Sequence, residues 1–154
     1  MRVGVFGVYG RMGGEVCRAV TLAKDLDLVA GLDIGDARDE ARKADVIVDF
    51  THPDAVMDNV KWCIDHGRHL VVGTTGFDES RLVQVREWLG DDPQVGVLIA
   101  ANFSIGAVLM MHFSPLAARH YASVEIIELH HPTKVDAPSG TAVSTAERIA
   151  KVRA

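Results

Sequence analysis

The run Glu128-Leu129-His130-His131-Pro132-Thr133-Lys134-Val135-Asp136-Ala137-Pro138-Ser139-Gly140-Thr141-Ala142 gathers two imidazoles, an ammonium group and a Ser-Gly-Thr turn within fifteen residues. Proton carriers and anion binders at that density are a poor fit to packing alone. Hydride addition to a carbon–nitrogen double bond leaves negative charge that a proton must quench. A catalyst for it needs a donor with a pKa near 7 and cations to hold an acidic substrate. His130 and Lys134 meet that description. If an apolar strand ends near Leu129, His130 and His131 point in opposite directions, so one donates while the other binds. Ser139-Gly140-Thr141 leads into a helical pattern, where backbone N–H groups offer a second anion site suited to a carboxylate. Competing explanations are a metal site, a structural hinge and a solvated loop. Adjacent histidines chelate poorly from one strand, and no Cys or His-x-x-x-His completes a set, so no metal is expected.

A second constellation opens the chain. Gly7-Val8-Tyr9-Gly10-Arg11-Met12-Gly13 lies between an apolar strand and a helix, where N–H groups and the helix dipole receive a pyrophosphate. The spacing departs from G-x-G-x-x-G: Gly10 and Gly13 keep the final pair, and the first glycine is displaced to Gly7. Asp33 ends the second strand pattern about 20 residues later, where a carboxylate accepts hydrogen bonds from a ribose diol. Strand, turn, helix, strand and acid agree on a dinucleotide site, against the plainer alternative of a tight turn with no ligand. Arg11 favours a 2′-phosphate and Asp33 opposes one, which leaves NADH and NADPH both open. A phosphate-bearing cofactor and an acid/base cluster in one chain point to a reductase.

The elements that must position these groups alternate along the chain. Val3–Phe6, Leu28–Leu32, Val46–Phe50, His69–Val72, Val95–Ile99 and Val124–Leu129 read as buried strands. Met12–Lys24, Pro53–His66, Ser80–Leu89, Ile105–Tyr121 and Thr141–Arg153 carry apolar residues at helical spacing. Asp36–Asp45 is charged and short, giving two helical turns at most or a loop. The alternation predicts right-handed βαβ units in an α/β fold, a Rossmann-type doubly wound parallel sheet. Ligands in such sheets sit beyond the carboxyl ends of the strands. That directs attention to Phe50-Thr51-His52-Pro53, Gly73-Thr74-Thr75-Gly76 and Ala100-Ala101-Asn102-Phe103-Ser104. Gly73–Gly76 either lets a nicotinamide ring and substrate approach the backbone or is an ordinary turn before a helix capped near Asp78. His52 reads as a loop residue, and His66, His69, His112 and His120 as surface or satisfied histidines.

The 154 residues, 48% of them hydrophobic, suffice for one ordinary domain. The only compositional shift falls at His130, which predicts a dinucleotide-binding domain over 1–129 and the start of a substrate-binding domain over 130–154. A net charge of −5 with no long Lys/Arg run argues against nucleic acid and anionic membrane as partners. Cys17 and Cys63 match no ligand or disulfide spacing and read as free, buried thiols in a reducing compartment. No signal-like N-terminus and no run of ~20 apolar residues is present, so a cytoplasmic location is expected. The final amphipathic helix, with an apolar face of Val143, Ala146 and Ile149, stops with no later element to cover it, and the chain reads as truncated.

The run from Glu128 to Ala142, with Gly7–Gly13, Phe50–Pro53, Gly73–Phe77 and Ala100–Gly106, closely resembles dihydrodipicolinate reductase, over essentially the whole chain. The motif His-His-x-x-Lys-x-Asp-Ala-Pro-Ser-Gly-Thr is highly specific. The resemblance implies hydride delivery from NADH or NADPH to 4-hydroxy-tetrahydrodipicolinate in lysine and diaminopimelate biosynthesis, with His130 as proton donor and Lys134 stabilising charge. It implies that His131, Gly140, Thr141 and Thr75 contact the substrate carboxylates. On the cofactor side it implies Gly7, Tyr9, Gly10, Arg11, Met12, Asp33, Phe50, Thr51, Gly73, Thr75, Ala100, Asn102 and Phe103. Val8 and Tyr9 depart from the small or basic residues commoner there. The family continues for roughly another hundred residues, forming an open sheet that builds a homotetramer. Without them, intact cofactor binding with feeble or absent turnover is expected. The alternatives are a non-catalytic dinucleotide-binding module and another Rossmann amino-acid or semialdehyde dehydrogenase.

Overall fold

The computed structural model describes residues 1–100, 102–130 and 137–153. They pack as two compact units, Met1–Ala100 and Ala101–Ala154. The compositional shift at His130 therefore lies inside the second unit.

The first unit is a five-stranded, wholly parallel sheet in the order β2-β1-β3-β4-β5. Its strands are β1 (Arg2–Phe6), β2 (Asp27–Leu32), β3 (Val46–Asp49), β4 (His69–Val72) and β5 (Val97–Ile99). Its helices are α1 (Arg11–Leu22), α2 (Val56–Asp65) and α3 (Glu79–Leu89), and 40–43 form one turn of 3₁₀ helix. Side chains alternate across a strand, and here both sides are covered. Val3, Val5, Val46 and Val48 point to one face and pack with Val16 and Val20 of α1. Phe6, Ile47, Leu70 and Val72 point to the other and pack with Val56, Val60 and Cys63 of α2 and Val85 of α3. Each of these side chains contributes roughly 1.5–3 kcal/mol on leaving water, which is why the strands read as continuous apolar runs. The predicted Rossmann-type doubly wound sheet is the observed one. The charged segment after Asp33 forms only the short 3₁₀ turn, so no strand lies outside β2. The sheet then reverses its winding between β1 and β3. That switch point opens a crevice between the loops that follow those strands.

The second unit contains α4 (Ile105–Ala118) and α5 (Gly140–Arg153), packed on one another. Ser104 caps α4, its Oγ accepting from the Ala107 N–H at 3.5 Å. The end of α4 and the residues that follow are closed by α5: the Arg153 guanidinium donates to the carbonyls of Ala118, Tyr121 and Ala122 at 2.5–2.8 Å. Three expectations are corrected here. The predicted strand Val124–Leu129 forms no regular element and joins no ladder, and Ile127 and Leu129 are exposed. A β-branched run becomes a strand only where another strand satisfies its N–H and C=O groups, and none of the described residues does so. The apolar face of α5 is not wholly uncovered either: Ile149 is buried with Thr145, whereas Val143 and Ala146 remain exposed. Cys63 is buried as expected, but Cys17 is only partly so. No helix among the described residues is long and apolar enough to cross a membrane.

Candidate active site

The turn after β1 is built by backbone contacts that only glycine permits. Gly7 has φ +84°, and a Cβ there would stand 2.4 Å from the Phe50 carbonyl oxygen; a Cβ on Gly13 would stand 2.0 Å from the Gly7 carbonyl oxygen. Both obstacles are backbone and cannot swing aside. The strand, the first turn of α1 and the loop after β3 are thus clamped together. The Gly7 N–H donates to the Leu32 carbonyl at 2.8 Å, and the first helical bond runs from Gly14 N–H to Gly10 carbonyl at 3.0 Å. Gly10, the N-cap, has no side chain to satisfy the N–H groups of the first turn. A helix start without a capping side chain is open to an external anion.

Asp33, at the end of β2, turns its carboxylate toward this turn. Oδ2 accepts from the Tyr9 N–H at 3.0 Å and Oδ1 from the Ile34 N–H at 2.9 Å. The Asp33 N–H is itself held by Asp36 Oδ2 at 2.9 Å. The carboxylate is fixed by the backbone of two loops. Gly7, Gly10, Asp33, Phe50 and Thr51 line one cavity of about 430 Å³ at the switch point. Five of the cofactor positions expected from sequence therefore meet in one place. Tyr9 does not line it and its side chain is 87% exposed, although its backbone orients Asp33. Arg11 and Met12 are exposed on the first turn of α1. Gly73, Thr75 and Ala100, at the ends of β4 and β5, also lie outside this cavity.

The sequence did not reveal what supports the crevice from beneath. Asp49, the last residue of β3, is completely buried. Its Oδ1 accepts from Thr51 N–H at 3.0 Å, Thr51 Oγ1 at 2.9 Å and Thr74 Oγ1 at 2.5 Å. Its Oδ2 accepts from Asn59 Nδ2 at 2.7 Å. Burying a carboxylate costs several kcal/mol, and hydrogen bonds to a charged acceptor return about 1.5–3 kcal/mol each. Four of them offset the penalty and tie the loops after β3 and β4 to α2. Asn59 passes the interaction on: its Oδ1 accepts from Arg38 Nη2 at 2.6 Å. The Arg38 guanidinium lies 5.8 Å from the Phe6 ring centroid and 5.9 Å from that of Trp62, within cation–π range. Arg38, Asn59, Ile34 and His52 all line the crevice. The only hint of this in the sequence was an acid closing the apolar run Val46–Phe50.

The same anion reaches the neighbouring thiol. Burial pushes the Cys63 pKa up to about 12, with the Asp49 charge adding to the shift. At neutral pH this thiol is a packing group. Other histidines are satisfied locally: His66 stacks on Trp62 at 4.3 Å, and His69 Nδ1 accepts from the Gly96 N–H at 2.9 Å. The loop 73–78 ends as a capped helix start, Asp78 Oδ1 accepting from the Arg81 N–H at 2.8 Å. Bonds from Ser80 and then Arg81 hold the Asp78 carboxyl below its ordinary pKa.

In the second unit His130 is exposed, its Nδ1 3.9 Å from Glu128 Oε2. Thr141 Oγ1 accepts from Asn102 Nδ2 at 3.0 Å, which joins two of the expected positions. Phe103 is exposed, and Gly140 begins α5. The expected anion site at Ser139-Gly140-Thr141 is narrower than predicted, because the Ser139 N–H already donates to Glu128 Oε1 at 2.9 Å. Ser139 Oγ in turn accepts from the Ala142 N–H at 3.1 Å. Gly140 and Thr141 are what remains of that turn. His131 and Lys134 lie outside the described residues.

The family model for the N-terminus of dihydrodipicolinate reductase matches residues 1–103, and that for its C-terminus matches residues 106–154. The chain belongs to the dihydrodipicolinate reductase family. It is 61% identical over 153 residues to the 4-hydroxy-tetrahydrodipicolinate reductase of Cutibacterium acnes, covering 99% of this chain and 62% of the relative. It is 63% identical to that of Thermobifida fusca, covering 100% of this chain and 63% of the relative. The chain thus spans somewhat under two thirds of these curated relatives. A solved structure described as dipicolinate-bound dihydrodipicolinate reductase from Paenisporosarcina sp. TG-14 superposes with a TM-score of 0.79 at 39% identity, covering 99% of this chain and 66% of that one. A solved structure described as a putative myo-inositol dehydrogenase from Sinorhizobium meliloti shares the fold alone, at 20% identity and a TM-score of 0.57 over 76% of this chain and 41% of that one.

Proposed function

We propose that this chain binds NADH or NADPH in the crevice between the loops after β1 and β3, and serves the reduction of 4-hydroxy-tetrahydrodipicolinate to tetrahydrodipicolinate. The observation that carries the reading is the glycine clamp. It leaves the start of α1 bare to within a backbone's width, with a fixed carboxylate at the end of the neighbouring strand. These residues fit a dinucleotide: the first turn of α1 receives the pyrophosphate, and Asp33 accepts from a ribose diol. When bound, the nicotinamide supplies the hydride.

The chain's own groups do the rest. His130 donates the proton that the reduced substrate requires, its Nδ1 standing 3.9 Å from Glu128 Oε2. Lys134 and His131 hold the acidic substrate, with Gly140, Thr141 and Thr75 binding its carboxylates. Asn102 fixes the Thr141 hydroxyl through its side-chain amide. Gly73, Tyr9, Arg11, Met12, Phe50, Thr51 and the residues Ala100, Asn102 and Phe103 complete the cofactor side. The segment 130–154 acts as the start of the substrate-binding region, and a homotetramer in the cytoplasm is the state in which the reaction runs. The support is family membership and the dipicolinate-bound relative.

The test is a ternary titration. Pyridine-2,6-dicarboxylate should tighten NADH binding to the chain, and His130→Gln should change cofactor affinity less than twofold while lowering whatever substrate-dependent NADH oxidation the chain shows by ~10²-fold. Dicarboxylate that leaves NADH affinity untouched would remove the substrate assignment.

A further inference from the structure

The crevice wall carries a cation that no part of the expected cofactor set includes. Arg38 lies on the segment after Asp33 and is held in three ways: by the Asn59 amide oxygen at 2.6 Å, and by the faces of Phe6 and Trp62. Asn59 is itself oriented, because its Nδ2 donates to the buried Asp49 carboxylate at 2.7 Å and to Thr51 Oγ1 at 3.2 Å. An amide between a carboxylate and a guanidinium cannot flip without placing its NH₂ against a cation and its oxygen against an anion. The side chain is thus preorganised. Arg38 is only half buried, and it lines the same crevice as Asp33.

We infer that Arg38 is a specificity residue of this crevice, one that admits a 2′-phosphate on the adenosine ribose which Asp33 alone would repel. The inference rests on the dinucleotide reading proposed above. Asp33 accepts from a free 2′-hydroxyl, which suits NADH. A phosphate at that position brings up to two negative charges toward a carboxylate that the backbone holds in place. Asp33 already receives two N–H bonds, from Tyr9 and Ile34, which balance part of its charge. Arg38 supplies a full positive charge and a planar set of donors matched to phosphate oxygens. Its anchorage on Asn59 means that little side-chain freedom is lost when an anion arrives. The chain should therefore accept both dinucleotides, with the share of NADPH set by Arg38 and sensitive to salt.

Arg38→Met keeps an unbranched apolar stem over the two rings and deletes the charge. NADH and NADPH are titrated separately by nicotinamide fluorescence at low and at high ionic strength. The expected result is a rise of about tenfold in the NADPH Kd at low salt, less than threefold for NADH, and a smaller difference at high salt as the charge is screened. Arg38→Lys should retain part of the NADPH affinity, since a point charge remains without the planar fork. Asn59→Ala should weaken NADPH more than NADH by freeing the guanidinium. Equal loss for both dinucleotides in Arg38→Met, or no loss for either, overturns the inference while leaving the crevice as the binding site. Failure of the unsubstituted chain to bind either dinucleotide overturns the crevice reading itself, and this inference with it.

Discussion

Asp49→Ala removes the anion that ties the crevice together, and the structure sets the size of the effect. Four donors lose their acceptor: the Thr51 N–H, the Thr51 and Thr74 hydroxyls and the Asn59 amide. Hydroxyls rotate, and Thr74 Oγ1 already lies 3.5 Å from the Asp49 carbonyl oxygen, which the alanine keeps. The Thr51 N–H and the Asn59 amide have no such freedom, and Asn59 is buried. Each of these two stranded donors costs about 1–3 kcal/mol, so the substitution should destabilise by about 2–6 kcal/mol, centred near 4. That is partly offset because the desolvation cost of the carboxylate disappears as well. At about 4–8 °C per kcal/mol for a unit of this size, the melting temperature falls by more than 10 °C. Urea unfolding followed by circular dichroism should show a lower midpoint with an unchanged slope. Asp49→Asn, which keeps one acceptor oxygen, should fall between the two. A loss under 1 kcal/mol for Asp49→Ala would mean that desolvation cancels the hydrogen bonds, and the argument that this carboxylate holds the loops would be wrong.

Three further outcomes follow from single observations. Gly13→Val should abolish measurable dinucleotide binding and destabilise the fold by at least 1–3 kcal/mol, since its Cβ would lie 2.0 Å from the Gly7 carbonyl oxygen; fluorescence titration and thermal melting read the two effects separately. Cys63, with its thiol pushed up to about 12, should resist iodoacetamide at pH 7.5 until the chain is unfolded, and Cys17 should account for whatever native-state labelling mass spectrometry finds. The side-chain and backbone bonds from Arg2 lower the Asp45 pKa from 3.8 to about 2. A carboxyl with a depressed folded-state pKa stabilises above its unfolded value and loses that contribution as pH falls through the folded one. The difference in melting temperature between the native chain and Asp45→Asn should be constant above about pH 5 and vanish on acidification from about pH 4 to pH 2.

The doubly wound sheet was legible because parallel strands buried on both faces leave an unbroken apolar signature, and β1 to β5 began or ended within two residues of expectation. Val124–Leu129 misled for the same physical reason in reverse. Its composition suits a strand, but strandhood depends on a partner that one segment's own sequence does not specify. Gly7, Gly10 and Asp33 could be proposed from sequence because a phosphate-binding turn requires a fixed spacing, and the fold brings the three to one crevice. Asp49, Asn59 and Arg38 were missed because their relation is made by tertiary packing: 10 and 21 positions separate the bonded pairs, and no motif records it. The acid/base cluster was read from residue types alone, and of it the described residues place His130, Gly140 and Thr141.

The central claim is that the glycine clamp and Asp33 form a dinucleotide site, and amide chemical-shift mapping tests it most directly. Titrating NADH into ¹⁵N-labelled chain should perturb Gly7, Gly10, Arg11, Met12, Asp33 and Thr51 first and most strongly, with saturation in the micromolar range typical of cofactors. Perturbations absent from these residues, or centred on another part of the first unit, would contradict it.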